Sequence, residues 1–355
     1  MTLPQRFYTD SRQFHLEMDR FFHARWVCVG REEQVATPGQ YFLAEVAGES
    51  IIVTRDASGA LRAHFNVCRH RGTRMCTEAA GEFPGGRIRC PYHAWTYALD
   101  GSLLGAPHMG EDFARADYPL QPAAIDSWEG HVFVHLGPNP ASLARQLAPL
   151  TEAFAAWNMA ELRMRHRIVY DVRANWKLIV SNYNECLHCP PVHPLLNRLT
   201  DYLGANNAAP SPAYIGGSMG FKPGVETMSI DGVRRRAYLP GLNAAQRRQV
   251  AYYAIYPNLL LSLHPDYMLT HTLWPRSVDR TAVICEFHFH PQETGPIDDA
   301  VEFWDITNRE DWRVSELSQL GIASRAYRPG PYSQREGLLA AFDQLVLEET
   351  SALLE

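Results

Sequence analysis

Two short stretches, "CRHRGTRMC" at 68–76 and "RCPYHAWTY" at 89–97, each place one cysteine beside one histidine: Cys68 with His70, and Cys90 with His93. Nineteen residues separate the two pairs. Both pairs lie in turn-like sequence between β-favouring runs. Paired loops of this kind can close over one buried group. The surrounding runs, "WVCVG", "QYFLAEVAG", "ESIIVTRD", "LRAHFNV", "RIRC", "WTYALDG" and "HVFVHLG", read as short strands, and "ASG", "PGG" and "LDG" supply the turns between them.

Three readings of the four residues compete. Structural zinc takes Cys₂His₂ sets, but its knuckles space both ligands by two to four residues, whereas Cys68 and His70 are separated by one. Four unrelated residues would be a coincidence repeated in two loops. A Rieske [2Fe–2S] cluster needs two thiolates on one iron and two imidazoles on the other, so each loop supplies one ligand to each iron. The stretch "FNVCRHRGTRMC…GRIRCPYHAWTYALDGSL" resembles the Rieske domain of Rieske non-haem iron oxygenases, including Arg69, Arg71-Gly72, Tyr92, Trp95, Tyr97 and Gly101, over roughly 26–110. Rieske proteins of respiratory complexes carry a further cysteine in each loop, joined as a disulfide. Here Tyr92 stands in the second loop, so Cys76 is expected as a packed free thiol. Cys28, Cys186, Cys189 and Cys285 are read the same way.

A second constellation follows in "NWKLIVSNYNECLHCPPVHP", 175–194. Apolar residues at Trp176, Ile179, Val180, Tyr183 and Leu187 predict a helix over 175–188. Glu185 and His188 are spaced i, i+3 and share one side of it. Pro190 and Pro191 are expected to end that helix and turn the chain, so that His193 faces the same point as His188. Two histidines near a carboxylate suggest the 2-His-1-carboxylate triad of non-haem Fe(II) oxygenases, which leaves positions open for O₂ and substrate. The segment is similar to the mononuclear-iron motif of Rieske oxygenase α-subunits. That resemblance implies His188 and His193 as ligands and Glu185 as an acid bridging the two metal centres. The bridge would bond His188 and, across a subunit boundary, His93 of the next protomer. It also implies a homotrimer, because the two centres within one subunit are too far apart for fast electron transfer. "NREDWRVSELSQLG", 308–321, resembles the helix that carries the third ligand, placing Asp311 there, with Glu310 and Asp305 as weaker candidates.

The rest of the chain frames these sites. With 355 residues, 46% apolar and 20% charged, it has material for two domains, each with its own core. Residues 1–140 are read as an N-terminal helix followed by the all-β Rieske domain. The helix buries Phe14, Met18, Phe21 and Phe22. Residues 141–355 are read as an α+β catalytic domain of helix-grip type, an antiparallel sheet with long helices: a helix at 142–157, a strand near 165–173, β-rich runs at 249–264, 267–276 and 280–290, and helices near 298–320 and 333–353. A net charge of −6 argues against a nucleic-acid partner. No apolar stretch reaches membrane-spanning length, no secretory signal opens the chain, and the odd cysteine count suits a reduced compartment. A soluble cytoplasmic protein is therefore expected. His264, His271, His288 and His290 are expected to be structural, with one of them a possible wall of the substrate pocket.

The resemblance implies the reaction class. NAD(P)H is oxidised by a separate flavin and iron–sulfur reductase, electrons pass through the cluster, and O₂ is activated at the mononuclear Fe(II). This chain has no dinucleotide-binding glycine loop of its own. Glutamate at 185, "VETMSIDG" and "AIYPNLLLSLHPDYMLTHTLWP" resemble the glycine betaine and carnitine monooxygenase branch. That branch implies hydroxylation at an N-methyl group, with demethylation and formaldehyde release. The aromatics Tyr202, Tyr214, Phe221, Tyr238, Tyr252, Tyr253, Tyr256, Tyr267 and Trp274 could hold a trimethylammonium group. They would equally suit the alternative, dihydroxylation of an aromatic ring. A bare Rieske electron carrier is the non-enzymatic alternative, which the 215 residues after the first domain argue against.

Overall fold

The computed structural model describes residues 1–351. The chain divides into two compact units, one formed by 21–146 and the other by 1–20 together with the chain from Leu147 onward. The sequence groups the N-terminal helix with the Rieske domain, as 1–140. The structure instead packs residues 1–20 into the catalytic unit, and specific bonds explain why. Lys177 Nζ donates to Glu17 Oε2 at 2.5 Å, and Trp176 Nε1 donates to the same oxygen at 3.0 Å. Both side chains of the Glu17–Lys177 pair are fully buried. Gln319 Nε2 donates to the carbonyl of Tyr8 at 2.9 Å. Hydrophobic periodicity shows that a helix has a buried face but not which partner that face meets.

The 21–146 unit is all-β. Seven antiparallel strands form one sheet, in the order Val27–Arg31, His131–His135, Pro122–Trp128, Leu61–Phe65, Glu49–Arg55, Gln40–Val46 and Ala80–Glu82. Strand Pro122–Trp128 is absent from the expectation. Its proline occupies the first strand position, where no ladder donor is needed, so the residue that reads as a breaker is harmless. A smaller three-stranded sheet, Arg87–Arg89, Thr96–Ala98 and Leu103–Gly105, carries the second Cys/His loop at its first hairpin. Beneath both loops Ile52, Met75, Ile88, Trp95, Tyr97 and Leu120 form a buried apolar cluster that includes Cys68 and Cys90.

The larger unit is built on a second seven-stranded antiparallel sheet. Its order is Arg163–Val172, Arg280–Phe289, Met268–Ser277, Leu259–Leu263, Gln249–Ile255, Tyr214–Gly220 and Asn206–Asn207. The single β-rich run expected at 249–264 is two strands, broken at Tyr256-Pro257. Gly216 is required in its strand, because a Cβ there would stand 2.3 Å from the carbonyl oxygen of Tyr252. The 25-residue helix Asp298–Ile322 and the helix Gly337–Ser351 flank the sheet, as the helix-grip reading expects. Among the described residues no helix is long and apolar enough to cross a membrane.

Candidate functional site

The two loops of the all-β unit are fixed from below. Asn66 Oδ1 accepts from the backbone N–H of Met75 and of Cys76 at 3.0 and 2.9 Å, and its Nδ2 donates to the Cys76 carbonyl at 2.7 Å. The buried amide closes the first loop like a staple, a role that its sequence neighbours do not announce. Within that loop Gly72 takes a φ of +73° and donates to the carbonyl of Cys68 at 3.0 Å. In the second loop Cys90 N donates to Trp95 O at 2.8 Å, and Ala94 N returns to Cys90 O at 3.1 Å.

The two thiols lie together, and so do the two imidazoles. Cys68 and Cys90 are buried free thiols, and burial raises the Cys68 pKa. The rings of His70 and His93 stand edge to face, with centroids 4.6 Å apart, and His70 stacks on Trp95 at 4.9 Å. His70 Nδ1 is buried without a hydrogen-bond partner in the protein. A buried unpaired imidazole nitrogen beside two buried thiols is costly unless an inorganic group takes up those atoms. The donor set therefore fits a cluster with two sulfur and two nitrogen ligands.

In the larger unit the helix Trp176–Tyr183 is capped by Asn175, whose side chain accepts from Lys177 N. It ends five residues earlier than the apolar pattern predicts. Glu185 and His188 therefore share a turn rather than a helical face, and they still meet: His188 Nδ1 donates to Glu185 Oε1 at 2.6 Å. Pro190 and Pro191 open the next short helix, Cys189–Val192, instead of closing the previous one. Proline suits a first helical turn because the N–H it lacks would have no helical partner there. The change of direction brings His193 opposite His188, with their Nε2 atoms 3.1 Å apart.

Asp311 completes the group. Its Oδ1 lies 2.9 Å from His193 Nε2 and 3.3 Å from His188 Nε2. One ligand atom from each of the three residues falls within 4.8 Å of the others. The outer nitrogens are also engaged, since His193 Nδ1 donates to Glu310 Oε2 at 2.7 Å. With each Nδ1 proton held by a carboxylate, both Nε2 lone pairs are turned on one point together with a carboxylate oxygen. Three electron-rich atoms so arranged repel one another unless a cation sits among them, and the set fits a 2-His-1-carboxylate metal site. The same electrostatics show in the proton affinities. Burial alone would lower His188, but Asp311 and Glu185 outweigh it and lift the group to about 9. Burial would raise Asp311, yet the two imidazoles hold it below the usual carboxylate range.

Of the weaker candidates, Glu310 lies one shell out, on His193. Asp305 faces elsewhere, accepting from Tyr170 Oη at 2.8 Å and from Arg309 Nε at 3.0 Å. The structure also corrects the reading of Cys186 and Cys189 as free thiols. They form a disulfide with Cα atoms 5.0 Å apart. Because the helix stops at Tyr183, the chain turns through 184–188 and brings the two residues within bridging range.

A cavity of about 350 Å³ opens onto the three-residue group. Its walls include Tyr183, Tyr252 and Trp304, with Tyr202 and Arg335 also contributing. Tyr252 and Trp304 stand edge to face at 6.4 Å. Tyr183 and Trp304 are missed by a search confined to strand aromatics. The spacing could have found Trp304, because Trp304, Thr307 and Asp311 fall at i, i+3 and i+7 on one helix and all three line the cavity. None of His264, His271, His288 and His290 is among the lining residues. His271 instead bonds Asn308 at 3.1 Å, and His288 bonds Thr270 at 3.3 Å.

Comparison with known proteins agrees with this geometry. Residues 25–128 match the Rieske [2Fe-2S] domain, and residues 159–352 match the ring hydroxylating alpha subunit catalytic domain. The chain is 31% identical to the glycine betaine monooxygenase oxygenase subunit of Pseudomonas aeruginosa strain UCBPP-PA14, covering 94% of this chain and 85% of that one. It is 30% identical to the carnitine monooxygenase oxygenase subunit of Escherichia coli K12, over 92% and 86%. The crystal structure of the quaternary ammonium Rieske monooxygenase CntA with L-carnitine superposes with a TM-score of 0.81 at 27% identity, over 98% and 95%. Work on a quaternary ammonium Rieske monooxygenase of the same fold describes inter-subunit electron transfer. The cofactors are a Rieske [2Fe–2S] cluster and a non-haem iron, and the partners are a small-molecule substrate and a separate reductase. The chain belongs to the Rieske non-haem iron oxygenases, with a Rieske domain and the catalytic domain of their α-subunits.

Proposed function

We propose that the chain is the oxygenase component of a monooxygenase that hydroxylates an N-methyl group of a quaternary ammonium compound of the glycine betaine or carnitine kind. The observation that carries this reading is the cavity itself. The His188–His193–Asp311 group and the aromatic faces of Tyr183, Tyr252 and Trp304 line one enclosure. A trimethylammonium group donates no ordinary hydrogen bond and is held on aromatic faces, each contact contributing roughly 0.5–2 kcal/mol. Arg335 at the same cavity could pair with a carboxylate at the far end of such a substrate. The relatives named for glycine betaine and carnitine support the choice over an aromatic ring.

In this reading Cys68 and Cys90 hold one iron of the cluster, and His70 and His93 hold the other. His188, His193 and Asp311 hold the mononuclear iron, which when bound activates dioxygen with electrons delivered through the cluster. The chain's own residues set the conditions for that chemistry. Glu185 and Glu310 fix the tautomers of the two imidazoles, and the aromatic walls seat the cation with a methyl group toward the metal group. The overall change is balanced: a quaternary ammonium ion, O₂, two electrons and two protons give an N-hydroxymethyl ammonium and water. The N-hydroxymethyl species then breaks its C–N bond, releasing formaldehyde, a proton and the tertiary amine. Glu185 further serves as the electron bridge to His93 of a neighbouring subunit in a homotrimer, supported by the inter-subunit transfer described for a relative. A cytoplasmic location follows from the need for an NAD(P)H-fed reductase.

Turnover coupled to NADH oxidation, comparing glycine betaine, carnitine and choline with simple aromatics, tests the proposal. Formaldehyde should appear in step with NADH loss for a quaternary ammonium substrate. Consumption of aromatics alone, with no formaldehyde, overturns it. His188→Ala should abolish turnover while the visible spectrum of the cluster stays intact, and light scattering should report three chains per particle.

A further inference from the structure

We propose that Cys186 and Cys189 form a reversible thiol–disulfide site that governs how firmly the iron loop holds its metal. This inference rests on the reading of His188 as a ligand. The bridge closes a four-residue ring, Cys186-Leu187-His188-Cys189, with the imidazole-bearing residue inside it. The ring adjoins Glu185, whose carboxylate holds His188 Nδ1 at 2.6 Å and accepts from Leu187 N at 2.5 Å. Cys189 N also donates to the Cys186 carbonyl at 3.1 Å. The loop is thus held by the Glu185 carboxylate, by this backbone bond and by the sulfur–sulfur bond.

Location makes this bridge addressable. Both cysteines line the open cavity. Cys186 is half-buried, whereas the five free cysteines of the chain are all buried. A dithiol reductant that enters the cavity attacks one sulfur, passes through a mixed disulfide, and leaves as its own cyclic disulfide. Two electrons and two protons are transferred, giving Cys186 and Cys189 as free thiols. Reoxidation by a disulfide such as oxidised glutathione runs the same exchange in reverse. Reduction removes the covalent pin and leaves only hydrogen bonds, so His188 samples orientations that no longer point at Asp311 and His193.

Full-length protein purified without reductant and carrying its cluster is digested under alkylating conditions, and the peptide containing residues 186 and 189 is weighed. It should carry the intact bridge, and after anaerobic dithiothreitol treatment it should carry two alkyl labels. The mononuclear site is then emptied with a chelator, the reagents are removed by anaerobic desalting, and ferrous iron alone is titrated into the oxidised and reduced forms. Chain-entropy arithmetic for a ring of four residues predicts a dissociation constant larger by up to roughly 20-fold after reduction. The cluster spectrum should not change, and oxidised glutathione should restore the affinity. Cys186→Ser/Cys189→Ser should bind like the reduced form and ignore dithiothreitol. Two free thiols in the untreated protein, or iron affinities that agree within about twofold, overturn the proposal. Absence of ferrous binding in either form overturns the assignment of the iron site as well.

Discussion

Replacing Glu310 with alanine isolates what the outer carboxylate does for the iron site. Glu310 touches no reacting group, and its Oε2 accepts the Nδ1 proton of His193 at 2.7 Å. The His193 side chain is only 1% exposed, so water has little access to replace the lost acceptor. A buried donor left unpaired costs about 1–3 kcal/mol. Two relaxations are open to the ring: it turns to find another acceptor, or it shifts its proton to Nε2. Either one spoils the ligand atom. Loss of such an outer partner typically weakens metal binding about 10–100-fold, which corresponds to about 1.4–2.7 kcal/mol and agrees with the cost of the orphaned donor. The assay is anaerobic ferrous titration of chelator-treated protein, with the cluster spectrum as an internal control that the all-β unit is intact. Glu310→Gln keeps an acceptor oxygen but loses the charge, so it should fall between wild type and alanine. Asp305→Asn lies on the same helix, but its carboxylate is bound to Tyr170 and Arg309, so iron affinity should not change. A Glu310→Ala protein that binds iron within twofold of wild type would refute the argument.

Other consequences are equally open to measurement. Lys177→Met leaves Glu17 charged and buried without its partner, and urea denaturation should show a loss of about 3–5 kcal/mol. The double variant Glu17→Gln/Lys177→Met should recover much of that loss. Trp304→Leu removes one aromatic face of the cavity and should raise the KM for a quaternary ammonium substrate roughly 2- to 30-fold, with a smaller effect on kcat. Asp343 is raised to about 6, chiefly by burial. The folded chain therefore keeps a proton that the unfolded chain releases between pH about 4 and about 6. This group's contribution to stability falls by about 2–3 kcal/mol as pH rises through that window and is level above it. Thermal melts of Asp343→Asn should lack this slope and exceed wild type at pH 7. Parallel pH profiles for the two proteins would contradict the assignment.

Sequence patterns reveal these sites unevenly, and the reasons are physical. Metal chemistry demands particular atoms at short spacing, so Cys68, His70, Cys90, His93, His188 and His193 stand out in the bare string; the structure sets His70 against His93, buries both thiols in one cluster, and gathers His188 and His193 with Asp311. The pairing of Glu185 with His188 is also legible, although it is achieved by a turn and not by the helix that the apolar period suggests. Periodicity overran because Leu187 keeps the apolar rhythm after the helix has ended; in the structure it is exposed. The Cys186–Cys189 bridge is hidden for a different reason, since two packed free thiols and a bridged pair are spelled by the same Cys-x-x-Cys string. Contacts over long sequence distances are the least legible. Glu17 reaches Lys177 across 160 residues and Gln319 reaches Tyr8 across 311, and nothing local in either segment names its partner.

The helix Asp298–Ile322 carries Trp304, Thr307 and Asp311 on one side. A single rigid rod thus holds both a metal-facing carboxylate and an aromatic wall. Sliding or tilting that rod to admit a bulkier guest would displace both at once, so selectivity is poorly adjusted from this side. Another part of the lining, with Tyr202, Ala205, Asn207 and Ser218, belongs to the edge of the sheet and the segment leading into it. Variation there can reshape the chamber while the oxygen-activating centre stays where it is. A library aimed at new amines should be confined to that margin.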